Sequence, residues 1–115
     1  MSPRPAAVRG HRAFRALARS RRRAASGPIT VHFEPTGGAG GEVRVAFAVG
    51  RKVGGAVARN RWRRRLRAIV AGCSAELPPG DYLIGLGPDV ASLSFEELRE
   101  QVIDTMRRAS GRSGR

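Results

Sequence analysis

From Gly50 to Arg67, eight cationic side chains fall within eighteen residues, directly after the apolar run Val43-Arg44-Val45-Ala46-Phe47-Ala48-Val49. That conjunction constrains the fold. A nearly continuous apolar run of this length reads as a central strand. The segment after Gly55 is helical in pattern. Projected at about 100° per residue, Trp62, Leu66, Ile69, Val70 and Cys73 form one stripe, while Asn60, Arg63, Arg64 and Arg67 fall opposite, with Arg61 at the edge. Arg59 and Arg65 flank the stripe about 60° to either side, where their methylene stems can lie along it with the charged heads in solvent. The stripe must pack on a core, and the opposite face is left for an anionic partner.

The remaining elements follow from the same reasoning. A short helix is expected from about His11 to Arg22, with Phe14, Leu17 and Ala18 on one side, and Ser26-Gly27-Pro28 breaks it. Ile29-Thr30-Val31-His32-Phe33 alternates apolar and polar residues, so a strand there buries one face and puts Thr30 and His32 on the other. Thr36 to Gly41 is a glycine-rich loop. The basic helix is expected from about Ala56 to Ser74. Leu77-Pro78-Pro79-Gly80 makes a turn, and Asp81 to Leu86 is the next strand. Ser94 and Glu97 have capping-box spacing, with Leu93 and Leu98 placed as a hydrophobic staple. Phe95, Leu98, Val102, Ile103 and Met106 then line the core side of a last helix. The resulting order is αβ(β)αβα, with extra strand pairing expected around residues 29 to 49. Residues 11–109 read as one domain, preceded by a flexible basic arm over 1–10 and followed by a tail over 110–115.

Charge and composition narrow the function. The chain of 115 residues has a formal charge of +13. Met1 to Phe33 carries eight arginines and no acid. Glu34 to Ala75 nets +7, and Glu76 to Arg115 nets −2. The first two-thirds therefore face the partner. Lys52 is the only lysine. Guanidinium groups suit forked phosphate contacts, although a G·C-rich genome would produce the same arginine bias.

Catalytic machinery is not apparent. Cys73, the one cysteine, ends the apolar stripe and reads as a small buried hydrophobe. His11 and His32 are far apart, and no Cys/His/Asp cluster has metal-ligand spacing, so no protein-bound metal is expected. Neither the glycine-rich loop from Thr36 to Gly41 nor the Gly50–Gly55 turn continues into the Gly-Lys-Ser/Thr of a nucleotide loop. Glu96, Glu97, Glu100 and Asp104 read as a solvated helix face. There is no apolar run of signal-peptide or membrane length, and a cytoplasmic location is expected.

The ordered run Val45-Ala46-Phe47-Ala48-Val49-Gly50-Arg51-Lys52-Val53-Gly54, then Ala56-Val57 and Arg59-Asn60-Arg61 with Arg64 and Arg67, resembles the signature of the bacterial ribonuclease P protein subunit. Weaker similarity extends over about 100 of the residues. The resemblance implies an α/β domain of order αβββαβα, with the basic helix in a left-handed crossover between parallel strands. It implies a protein that assists a catalytic RNA in removing the 5′ leader of precursor tRNA. The phosphodiester chemistry then belongs to the RNA and its Mg²⁺, with no catalytic residue in the protein.

The expected contacts to the catalytic RNA are Arg51, Lys52, Arg59, Asn60, Arg61, Arg63, Arg64 and Arg67. A cleft between the first helix and the sheet is implied for the leader, with Phe14 and His32 as its stacking residues. Ala18, Gly85 and Gly87 stand where relatives often have bulkier side chains. The partners implied are the ribonuclease P RNA and precursor tRNA, with no membrane and no DNA. Two other readings are a stand-alone basic RNA-binding module, which would have the same helix, and a protein nuclease, which would need the acid/base or metal constellation missing above.

Overall fold

The computed structural model describes Ala6–Ala7, residues 11–35 and residues 42–111. Its elements are β1 (Ala6–Ala7), α1 (His11–Ala18), β2 (Arg22–Ser26), β3 (Ile29–Glu34), β4 (Val43–Val49), α2 (Ala56–Cys73), β5 (Gly80–Leu86) and α3 (Phe95–Ala109). Short 3₁₀ turns cover Arg51–Val53, Ser74–Glu76 and Pro88–Ser92. The glycine-rich loop expected over 36–41, most of the arm expected over 1–10, and residues 112–115 of the expected tail lie outside the described residues. Within that arm, Ala6–Ala7 pairs in parallel with Arg44 and Val45.

The sheet runs in the order β1-β4-β5-β3-β2. β4 and β5 are parallel neighbours joined through α2, as a βαβ crossover requires, whereas β3 is antiparallel to both β5 and β2. Strand alternation then sorts the side chains. Ile29, Val31 and Phe33 share one face with Val43, Val45, Tyr82, Ile84 and Leu86, and α2 and α3 close over it with Trp62, Leu66, Ile69, Val70, Leu98, Val102 and Met106. The ring centroids of Phe33 and Tyr82 are 4.8 Å apart. Burial pushes the Tyr82 phenol up to about 12, so it keeps its proton and donates to the Pro78 carbonyl at 2.6 Å. Leu17 and Leu83, both buried but outside that core, pack α1 against β5 and β3 on the other face.

Three details depart from the sequence reading. The first helix ends at Ala18, one turn before the expected Arg22, and Arg22–Ser26 forms a strand that was not expected. The extra strand therefore precedes Ile29 and does not lie between 29 and 49. Gly27, at φ 56°, and Pro28 form the two-residue hairpin between β2 and β3, with Ser26 paired to Ile29. Glycine at the first central position is what such a turn demands, so the break signal marked a chain reversal between strands. Third, Phe95 is 47% exposed. It starts α3 at the rim, and the buried stripe runs through Leu98, Val102, Thr105, Met106 and Ala109. The capping box forms as expected, with Glu97 N donating to Ser94 Oγ at 3.1 Å and Ser94 N to Glu97 Oε1 at 2.8 Å.

Two arginines tie α3 to the edge strand. Arg22 donates to the Ser110 carbonyl at 2.8 Å and stacks 5.0 Å from the Phe33 ring centre, and Arg108 donates to the Ala25 carbonyl at 3.0 Å. Cys73 is buried, and that burial pushes its thiol pKa up. The thiolate is the reactive form, so iodoacetamide should label Cys73 in urea and leave it unmodified in the native protein. Rapid native labelling would place it outside the core.

Candidate nucleic-acid interface

The basic helix is positioned by the strand before it. β4 ends at Val49, and Arg51–Val53 makes one 3₁₀ turn. Gly54 then takes φ 145°, and a Cβ there would lie 2.8 Å from that of Ala58, so only glycine allows α2 to begin at this angle. Gly55 caps the helix with extended backbone, and a side chain there would meet nothing. Arg51 and Lys52 are both exposed on the turn.

Along α2 the two faces separate as the periodicity predicts except at Arg63, which was expected opposite the stripe and lies half-buried at its side, about 100° around the helix from Trp62. Trp62, Leu66, Ile69, Val70 and Cys73 are buried. Asn60, Arg61, Arg64 and Arg67 are exposed, and Arg59, Arg63 and Arg65 are half-buried between the faces. Arg65 lays its guanidinium 4.8 Å from the Trp62 ring centre, and Arg67 lies 5.8 Å from that of Phe47. Asn60 Oδ1 accepts from Arg63 Nη1 at 3.1 Å, so the one amide of the face orders a neighbouring guanidinium. The Nε of Arg59 is enclosed without a hydrogen-bond partner among the described residues. No acid is paired with this face among the described residues. The three ion pairs there are Arg44–Asp81, Arg107–Glu76 and Arg108–Asp104.

The second surface lies across the sheet. Register puts Arg23, His32, Leu83 and Ala46 in one row, and Ala25, Thr30, Gly85 and Ala48 in the next. α1 covers Leu83 with Leu17, but Ala25 and Ala48 stay exposed and Thr30, Gly85, Ala46 and His32 half-exposed. A shallow strip floored by small side chains is therefore open beside α1. Phe14, 38% exposed, lies about 60° around α1 from the buried Leu17. The structure thus puts Phe14 and His32 on the same side of the sheet, and the α2 cations on the other. The His32 pKa is lowered by burial and then by the charge of Arg23. Arg12, Arg15 and Arg19 are exposed along the outer side of α1, a face that the sequence reading saw only as generally basic.

Among the described residues, no three His, Cys, Asp or Glu side chains lie close enough together to hold a metal ion, and no helix is long and apolar enough to cross a membrane.

A mixed sheet that presents an arginine-rich helix on one side and an open strip on the other defines a small α/β domain with a cationic interaction face. The chain belongs to the ribonuclease P protein family, whose model, described as Ribonuclease P, matches residues 2–110. Its relatives are the protein component of this tRNA-processing endoribonuclease. The ribonuclease P protein component of Acidothermus cellulolyticus is 42% identical over 86 residues, covering 74% of this chain and 72% of the relative. That of a Synechococcus species is 34% identical over 113 residues, covering 95% and 85%. The solved RNase P protein from Thermotoga maritima matches with a TM-score of 0.79 at 22% identity, over 89% of this chain and 96% of that one. The Staphylococcus aureus protein gives 0.78 at 14%, over 87% and 91%. At such identities these two structures speak for the fold.

Proposed function

We propose that the chain binds the catalytic RNA of ribonuclease P through α2 and its preceding turn, and the 5′ leader of precursor tRNA along the open strip beside α1. The observation that carries this reading is the division of α2 into a buried apolar stripe and a cationic face without acidic partners. Arg51, Lys52, Arg59, Arg61, Arg63, Arg64 and Arg67 contact phosphates in this reading. Asn60 holds Arg63 in place.

The protein supplies binding and orientation, and phosphodiester hydrolysis belongs to the RNA. Mg²⁺ serves that RNA site, since hard cations of this kind keep water and phosphate ligands and the described residues offer no cage. The reading puts the complex in the cytoplasm, with no role for DNA. Phe14 and His32 supply π faces to unpaired leader bases, each worth roughly 1–3 kcal/mol.

Reconstitution with a ribonuclease P RNA tests the assignment. The holoenzyme should cleave precursor tRNA and the protein alone should not. Phe14→Ala should weaken binding of precursor with a long leader far more than binding of mature tRNA, and His32→Ala should do so less. Protein-only cleavage abolished by a point substitution would reject the division of labour. Equal losses for precursor and mature tRNA would make Phe14 a packing residue.

A further inference from the structure

Arg22 and Arg23 are adjacent in sequence and opposite in use. Strand alternation sends Arg22 to the core side, where it stacks on Phe33 and donates to the Ser110 carbonyl. Arg23 goes to the open face, is exposed, and has neither an ion pair nor a hydrogen-bond partner for its side chain among the described residues. The other strand cation on that face, Arg44, is held in a forked pair with Asp81 at 2.8 and 2.9 Å. The nearest acid by register, Glu34, lies two residues beyond His32 and accepts from the Ser20 hydroxyl at 3.2 Å. Arg23 is therefore the uncommitted cation of the described strands on this face.

Its position gives that charge a use. Arg23 is the cross-strand partner of His32, and such neighbours have Cβ atoms about 4.5–5.5 Å apart. A base stacked on the imidazole would lie beside a guanidinium long enough to reach that nucleotide's phosphate. The charge of Arg23 is already felt at His32. Next to this pair, Thr30 and Gly85 keep the floor low, and a Cβ on Gly85 would meet only ordinary contacts, so the low floor at this position is not forced by packing.

We propose that Arg23 is a leader-binding residue, its guanidinium taking the phosphate of the nucleotide whose base lies against His32. This rests on reading the open strip as the leader site. It gives that strip, with few aromatics, an electrostatic anchor, so binding there combines one charge contact with stacking, the pairing that suits unpaired nucleic acid.

The test uses the reconstituted holoenzyme with precursor and mature tRNA, titrated over a range of salt. Arg23→Gln should reduce precursor affinity about tenfold, as loss of one hydrogen bond to a charged group implies, and leave mature tRNA binding unchanged. The slope of log affinity against log salt should become shallower by about 0.7, the value for one phosphate on a single strand. Arg23→Lys should retain the slope. Phe14→Ala should weaken the precursor without changing it. If Phe14→Ala still discriminates precursor from mature tRNA but Arg23→Gln changes neither affinity nor slope, the proposal is overturned and the leader strip stands. If Arg23→Gln weakens both RNAs equally, Arg23 serves another contact and the proposal fails. If neither variant separates the two RNAs, the leader reading falls and takes the proposal with it.

Discussion

Trp62→Ala should destabilise the protein by about 3–5 kcal/mol, the usual cost of emptying a buried aromatic site. Trp62 is 8% exposed, and its neighbours along the stripe, Leu66 and Ile69, are anchored on the sheet and cannot readily collapse into the gap. The substitution also removes the ring on which Arg65 rests. Small domains have only about 5–15 kcal/mol of stability, so a large part of the population would unfold at moderate temperature. Arg64→Ala, on the exposed face two residues away, should change stability by no more than about 0.5 kcal/mol while weakening assembly with the catalytic RNA. Urea melts followed by circular dichroism measure both. If Arg64→Ala were the more destabilising, the two faces of α2 would have to be exchanged.

Affinity for the catalytic RNA should fall roughly 10³–10⁵-fold between 50 and 200 mM salt, as expected when about six to ten phosphates are neutralised. The turn and α2 supply cations for a contact of this size in Arg51, Lys52, Arg59, Arg61, Arg63, Arg64 and Arg67. These side chains are exposed or half-buried and none is paired with an acid among the described residues, so binding would not first have to break ion pairs. Arg67→Ala should reduce the slope by about one phosphate's share. Filter binding over a salt series would decide the point, and a flat response would mean that shape or base contacts dominate.

The parts of the fold legible in the sequence were those whose pattern is set by burial. β4, α2, β5 and the start of α3 each bury a face against one core, so period and capping residues located them to within a residue or so. Arg22–Ser26 was illegible because an edge strand of arginine, alanine and serine has no β-branched or aromatic residue to mark it. It forms because it pairs with β3, where Arg22 rests on Phe33, and because the Ser110 carbonyl and Arg108 hold it from 88 and 83 residues along the chain. Phe95 was misplaced for a related reason. Helical spacing allowed it on the stripe, but at the first turn the helix has passed the edge of its partner surface.

The cationic face of α2 was readable from angle alone, because a helix with one apolar stripe has only one way to sit. The strip beside α1 was not. Its floor depends on strand register across β2, β3, β5 and β4, and register is a product of tertiary pairing. Arg23 and His32 lie nine residues apart in sequence, symmetric about the Gly27-Pro28 turn, but that turn fixes their pairing only once Arg22–Ser26 is known to be a strand.

The strand order has a consequence for synthesis. β5, the last strand to be made, is the middle of the sheet, with β4 on one side and β3 on the other. A nascent chain that stops short of Gly80 can form the β2–β3 hairpin, and β4 can pair with β1, but nothing joins the two halves. Through that interval the stripe of α2 has β4 but neither β5 nor α3 to cover it, so Trp62 and Leu66 stay incompletely buried beside a dense row of arginines. The ribosome must release β5 and α3 before this domain can close, so its folding waits on the last two of its elements.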